Sequence, residues 1–165
     1  MTKIIFFISL ISVSLTQKVS AQNGVKDINK VINHYLEVKD ALAAGNGNLA
    51  LTHAKDLLNA VKSVDAGSLT EDQRKTWLAY EPKLEYDSRH ISEVNRVEHQ
   101  REHFASLSAN LYRVIEALKL NEGQLYEEYC TMSKRTFLSQ TPTGKDPYMG
   151  VTTCNKVTET LPAHH

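Results

Sequence analysis

The chain has 165 residues, of which 19 are basic and 19 acidic, and hydrophobic residues make up 41% of it. This length and composition predict one globular domain with a core of ordinary size. The balanced charge argues against a nucleic-acid partner and against an anionic membrane surface, because both would require a basic patch.

The N-terminus has the pattern of a secretory signal peptide. Lys3 precedes an apolar run from residue 4 to residue 15, which is too short for a membrane span, and a small-x-small cleavage site ends at Ala21. Residues 1–21 are therefore predicted to be removed, which leaves residues 22–165 as the mature domain. No second long apolar run follows, so we expect a periplasmic or secreted protein with no membrane insertion after signal removal.

Two helices joined by a short turn are predicted next. Apolar residues recur at three- and four-residue steps from Val25 to Ala44 and again from Leu49 to Val64. The segment Gly45-Asn46-Gly47-Asn48 between these runs is typical of a tight turn. We therefore expect the two helices to form an antiparallel hairpin.

A third helix is predicted to begin at Thr70, because Thr70 and Gln73 have the spacing of a capping box. Pro82 lies inside this helix, and a kink or break is expected near residues 80–81 because proline cannot donate the helical hydrogen bond. A fourth helix is predicted from about Asn95 to Leu120, where a stripe of apolar residues recurs with helical period.

The C-terminal part differs in character from the rest. A short fifth helix is predicted over residues 125–132, and glycine and proline punctuate residues 141–165, where a brief strand is expected at Val151 to Cys154. The predicted fold is thus all-α: an antiparallel four-helix bundle with a short fifth helix and an irregular C-terminal lobe.

The pentapeptide His99-Gln-Arg-Glu-His103 is the strongest functional signal, because two histidines four apart lie on one face of a helix about one turn apart. That is the spacing of a metal-ligand pair. The plainer interpretation is two surface histidines on a charged helix face. The same residues also match H-x-x-E-H, in which Glu102 would be the general base of a small zinc hydrolase. We keep that activity as a minor alternative and expect no enzyme.

Sulfur groups follow downstream in Cys130, Met132 and Cys154. Together with the two imidazoles they suit copper(I) or silver(I), with zinc as second choice. Arg101 and Glu102 would then orient the ligands. A Cys130–Cys154 disulfide is an equally good interpretation in an exported chain.

Four sequence blocks in this order resemble one bacterial family. The blocks are residues 33–42, 99–108, 129–132 and 146–150, the last followed by Cys154. They resemble the exported domain-of-unknown-function family numbered three-three-four-seven (DUF3347), which also occurs fused to periplasmic adaptor subunits of heavy-metal efflux pumps. The similarity runs over nearly the whole mature chain.

The resemblance implies a helical periplasmic domain that handles copper, silver or related cations. It supports five metal ligands: His99, His103, Cys130, Met132 and Cys154. The chain departs from the family pattern at Thr131, Val151 and Asn155, where proline, methionine and glycine are usual. The change at Val151 removes a further thioether ligand.

The function expected from the sequence is therefore binding of a soft metal ion in the periplasm, in metal homeostasis or efflux. Its partners would be the metal ion and an efflux adaptor or another envelope protein. The main alternative is a disulfide-stapled helical interaction module that binds no metal.

Overall fold

The computed structural model describes residues 5–151 and 154–164, with side chains from residue 22 onward. Its helices are α1 (Ile5–Ala43), α2 (Gly47–Ser63), α3 (Glu71–Glu93) and α4 (Val97–Leu118), with a short 3-10 turn at Ala66–Ser68. Its strands are β1 (Leu125–Cys130), β2 (Arg135–Ser139) and β3 (Asn155–Leu161). Among the described residues, no helix combines the length and the apolar character that crossing a membrane requires.

The four helices form the predicted bundle, in which each helix contacts the next one along the chain. Short links make consecutive helices antiparallel, and their apolar stripes meet in one core. All four helices contribute large, fully buried side chains to this core, among them Tyr35, Leu57, Trp77, Leu84, Ile91, Phe104 and Leu111. Hydrophobic periodicity therefore predicted the helical half of the molecule correctly.

The start of α3 has the predicted capping box. The backbone N–H of Gln73 donates to Thr70 Oγ1 at 3.4 Å, and the backbone N–H of Thr70 donates to Gln73 Oε1 at 3.1 Å. The predicted break near residues 80–81 does not occur, because α3 continues through Pro82 to Glu93. Buried Trp77 on one side of the proline and buried Leu84 on the other hold the helix against the core.

Gly47, the first residue of α2, lies against the turn between α3 and α4. A Cβ atom at this position would be 1.9 Å from the carbonyl oxygen of Asn95, so only glycine fits. The buried side chain of Gln100 completes the contact, because its Nε2 donates to the carbonyls of Gly47 at 2.9 Å and Val94 at 2.7 Å. One end of the bundle is therefore closed by a polar contact among three helix termini.

The C-terminal lobe is a three-stranded antiparallel sheet, so the all-α prediction is wrong for this part. The strand order is β2-β1-β3, with Tyr126 opposite Ser139 and Leu125 opposite Leu161. The predicted fifth helix over residues 125–132 is strand β1 instead. Its backbone hydrogen-bonds to strands on both sides, and tertiary pairing of this kind overrides local helical propensity.

The predicted strand at Val151 to Cys154 lies partly outside the described residues, which omit 152 and 153. The observed third strand begins just after it, at Asn155. The segment expected to be irregular thus supplies an edge strand of the sheet.

Tyr35 joins the lobe to the bundle. Its hydroxyl accepts from the backbone N–H of Leu138 on β2 at 2.9 Å and lies 2.8 Å from Ser108 Oγ on α4. Its ring stacks on Phe104 with centroids 5.0 Å apart. Burial raises the pKa of this phenol well above its ordinary value, so it remains a neutral hydrogen-bonding group.

Candidate metal centre

The pentapeptide at residues 99–103 sends its side chains in different directions from α4. Gln100 is buried and binds helix-end carbonyls, as described above. Arg101 donates from Nε to the carbonyl of Pro147 at 2.8 Å and from Nη2 to the carbonyl of Leu42 at 3.0 Å. These two residues therefore connect parts of the fold, and Arg101 faces the C-terminal lobe.

His99 and His103 lie on one face of α4, as their spacing predicted. Their ring centroids are 4.9 Å apart, and their side chains are 28% and 17% exposed. His103 Nδ1 lies 3.0 Å from Oδ1 of Asp87, a buried carboxylate on α3. This face of α4 is therefore directed towards α3.

His90 on α3 joins the same cluster, although sequence reasoning left it out. Its ring stacks on that of His103 with centroids 4.6 Å apart, and its Nδ1 lies 2.9 Å from the carbonyl oxygen of Tyr86. A continuous helix would have placed His90 far from His99. The chain reverses at residues 94–96, however, so α3 and α4 lie side by side and His90 meets His103. The signal that could have found it is Asp87-x-x-His90, an i,i+3 pair on α3.

Cys130 and Cys154 form a disulfide, with their Cα atoms 4.8 Å apart. The bond connects the end of β1 to the residue before β3, and the N–H of Thr131 donates to the Cys154 carbonyl at 3.2 Å beside it. Both residues are buried. A disulfide sulfur is not a thiolate, so neither cysteine is a strong metal ligand in this state.

Asp146 is the third group at the disulfide. Within the described parts of the chain, Cys130, Asp146 and Cys154 are the one set of three donor residues with ligand atoms within 4.8 Å of one another. Asp146 Oδ1 accepts from the N–H groups of Tyr148 at 2.7 Å and Met149 at 2.6 Å. Burial raises the pKa of this carboxyl, and those two hydrogen bonds and the charge of Arg101 oppose the shift only in part.

Two further residues of the predicted site lie on the surface. Met132 is 61% exposed in the turn between β1 and β2. The Glu102 side chain is 67% exposed, and its Oε2 lies 3.7 Å from His99 Nδ1. Sequence spacing alone could not show on which side of the molecule these groups would lie.

The structure thus brings four of the five predicted ligands together as two separate pairs, His99 with His103 and Cys130 with Cys154, and leaves Met132 exposed by itself. His99 and His103 face α3, whereas the lobe that carries the disulfide contacts α4 through Arg101. At 3.6 residues per turn, Arg101 projects from nearly the opposite side of the helix to the two histidines. The imidazole and sulfur groups therefore lie on two sides of α4.

The comparisons with known proteins agree with the predicted family. The model of the family described as "Protein of unknown function (DUF3347)" matches residues 31–123, more than half of the chain. The chain belongs to this family. The DUF3347 match includes all of α2, α3 and α4 with His90, His99 and His103, and it ends before Cys130. No curated protein and no solved structure matches the chain.

Proposed function

We propose that this DUF3347 protein is an exported metal-binding protein that holds its ion through His99 and His103 on α4. It would serve metal homeostasis or efflux by buffering the ion or by passing it to an efflux adaptor or another envelope protein. No catalytic step is required of it.

One observation carries the proposal. Two partly buried imidazoles contact each other on one helix face, and one of them lies 3.0 Å from the buried carboxylate of Asp87. Histidines that bind metals usually donate their second ring N–H to a carboxylate or a backbone carbonyl, which orients the ring. His34 also lies beside a carboxylate, that of Glu37 at 2.8 Å, but the Glu37 side chain is 47% exposed, whereas Asp87 is buried.

The disulfide changes the expected metal. The sequence favours copper(I) and silver(I) because thiolate and thioether ligands select soft ions. With Cys130 and Cys154 bonded to each other, the nitrogen ligands that remain suit zinc(II) or copper(II) better. Copper(I) or silver(I) would bind to the cysteine sulfur atoms only after reduction of the disulfide.

The test is metal affinity measured by competition with a chromogenic chelator, for Zn²⁺ and Cu²⁺ separately. His99→Gln and His103→Gln should each weaken binding by about tenfold or more, since 1.4 kcal/mol of lost binding free energy already corresponds to tenfold. The matched control is the double variant His34→Gln/His53→Gln. These histidines lie within 2.8 and 3.4 Å of Glu37 instead, and the double variant should bind as the unchanged protein does.

Sulfur ligation is tested in the same assay. Cys130→Ala/Cys154→Ala and Met132→Leu should leave the affinity for Zn²⁺ unchanged if the histidines hold the ion. A loss of binding in these variants, with none in His99→Gln, would reverse the assignment. The quadruple variant His34→Gln/His53→Gln/His99→Gln/His103→Gln lacks both pairs of histidines. If the unchanged protein binds neither Zn²⁺ nor Cu²⁺ more tightly than this variant does, the proposal is wrong.

A second candidate function rests on the disulfide itself. A bonded Cys130–Cys154 pair is what a stapled interaction module requires, in which the lobe is fixed on the bundle for docking to another envelope protein. Here metal affinity would be negligible. Non-reducing mass spectrometry that finds the bond, together with absent metal binding, would favour this function.

A further inference from the structure

We infer that the metal site spans the α3–α4 hairpin, with His90 as a third imidazole ligand and Asp87 as the residue that positions His103, and that its ion is a divalent cation of the zinc or copper(II) type. This inference rests on the proposed function and names the rest of its ligand set. Neither His90 nor Asp87 was part of the set predicted from the sequence.

The three imidazoles form one contiguous cluster. His103 lies in the middle, with its ring centroid 4.6 Å from that of His90 and 4.9 Å from that of His99. All three side chains are half-buried, so an ion there would have protein on one side and solvent on the other. Two helices supply the ligands, and the three-residue link between α3 and α4 holds them in register.

Hydrogen bonds determine which nitrogen each ring offers. A carbonyl oxygen only accepts, so His90 Nδ1 must donate to Tyr86, at 2.9 Å. The ionised Asp87 carboxylate also only accepts, so His103 Nδ1 donates to it, at 3.0 Å. In the neutral rings, Nε2 of both histidines is consequently the atom with the free lone pair. Two of the three imidazoles thus have the second hydrogen bond that is typical of metal-binding histidines.

The histidine rings must rotate before their nitrogen atoms can bind one ion together. His90 and His103 are stacked at an interplanar angle of 27°, and His99 meets His103 nearly edge-on at 74°. Within the part of the chain that the structure describes, the histidines are not among the donor groups whose ligand atoms already converge. Rotation about Cβ–Cγ, a broad torsion in histidine, turns the rings without moving the backbone. The rotation must be small enough to keep the Nδ1 hydrogen bonds of His90 to Tyr86 and of His103 to Asp87, so that Nε2 remains the ligand atom.

The chemistry of the donors selects the ion class. Three imidazoles with a water in the remaining position are a common zinc(II) arrangement, and imidazole also suits copper(II). The negative charge of Asp87 beside His103 favours a divalent cation further. Calcium and magnesium require oxygen ligands, and this cluster does not supply enough of them.

The test compares His90→Gln with His99→Gln and His103→Gln, using Zn²⁺ affinity and the Cu²⁺ electron paramagnetic resonance spectrum. Loss of a residue that only hydrogen-bonds to a metal ligand lowers metal affinity by up to about 100-fold. Loss of a ligand should cost at least as much, so His90→Gln should reduce Zn²⁺ affinity by about 100-fold. The copper spectrum should change from three coordinated nitrogens to two. The control is His34→Gln/His53→Gln, which should alter neither measurement.

Asp87 has its own pair of variants. Asp87→Asn keeps an oxygen that can accept from His103, whereas Asp87→Ala removes it. We expect Asp87→Ala to lower affinity by about 10- to 100-fold and Asp87→Asn to lower it less, with three nitrogens in the copper spectrum of both. Unchanged Zn²⁺ affinity in Asp87→Ala would show that Asp87 does not position His103, and would overturn its assigned role.

The outcomes separate this inference from the proposed function. If the protein binds neither Zn²⁺ nor Cu²⁺, the proposed function fails. If His99→Gln and His103→Gln abolish binding while His90→Gln leaves the affinity and the nitrogen count unchanged, the proposed function stands and the spanning site is wrong. Circular dichroism melting curves of each variant, measured without metal, identify any variant that lost binding because it lost its fold.

Discussion

The helical bundle and the C-terminal lobe are held together in different ways. The bundle is stabilised by a continuous apolar core in which each helix contacts its neighbour in the sequence. The lobe has three short strands, of which β3 is mostly exposed, and one covalent bond between Cys130 and Cys154. A small sheet cannot bury enough apolar surface to be stable by itself, which is why the disulfide matters more there than it would in the bundle.

Removal of the disulfide should destabilise the lobe and leave the bundle almost unchanged. In Cys130→Ala/Cys154→Ala the closed loop, with its sequence separation of 24 residues, gains freedom in the unfolded state, and the lobe should lose about 3 kcal/mol of stability. Hydrogen exchange should increase in β1 and β3 and change little in α2 to α4. Reduction of the unchanged protein is the control and should give the same pattern. Uniformly faster exchange in the helices would mean that the bundle depends on the lobe.

Gly47→Ala should perturb the bundle instead of the lobe. The added Cβ would be 1.9 Å from the Asn95 carbonyl oxygen, so the start of α2 or the α3–α4 turn must move. We expect a loss of about 1–3 kcal/mol in denaturant unfolding, typical of overpacking. The turn also carries the α3 and α4 ends that bear the histidines, so metal binding should weaken as well.

The matched control for that change is Gly123→Ala in the segment between bundle and lobe. No atom lies within 4 Å of a Cβ built there, and the stability should change by less than about 0.5 kcal/mol. Equal losses at both glycines would show that the contact with Asn95 is not the cause.

The smallest expected effect is the pH dependence that Asp146 gives to the lobe. Because burial raises its folded-state pKa, the folded protein holds this proton more tightly than the unfolded chain does. The stability that Asp146 contributes is complete below the unfolded pKa and is lost as the pH rises through the folded pKa. Asp146→Asn keeps the Oδ1 acceptor for the N–H groups of Tyr148 and Met149 and removes the titration.

The measurement is denaturant unfolding of the unchanged protein and of Asp146→Asn across the acidic range. The stability of the unchanged protein relative to the variant should fall as the pH increases. The control is Asp56→Asn, at an exposed position, and its stability should change with pH in the same way as that of the unchanged protein. If the stability of the unchanged protein relative to Asp146→Asn increases with pH instead, the raised pKa of Asp146 is contradicted.

Local patterns predicted the bundle because their causes are local. The Thr70–Gln73 capping box and the apolar stripes act over three or four residues, and the structure has both. The break that was one of the two outcomes predicted at Pro82 does not occur, because buried neighbours on either side hold α3 against the core. The same approach was wrong about β1, whose partners β2 and β3 become known only when the chain has folded back.

In the candidate site, too, only the local contacts could be predicted from the sequence. The shared face of His99 and His103 follows from helical period, and the spacing predicted it correctly. His90 was missed because its position depends on the chain reversal at residues 94–96, and Asp87 because it acts through space on a histidine of the next helix. The sulfur residues were grouped with the histidines because distance along the chain does not reveal on which side of α4 the lobe packs.

The helices, their antiparallel order and the paired imidazoles of α4 can be predicted from the amino-acid sequence, since each depends on hydrogen bonds and contacts between residues a few positions apart. Three features become visible in the tertiary structure alone: the sheet of β1, β2 and β3, the bond between Cys130 and Cys154, and the contacts of His90 and Asp87 with His103. These features join residues distant along the chain, and their energies exist only after the loops between them have closed.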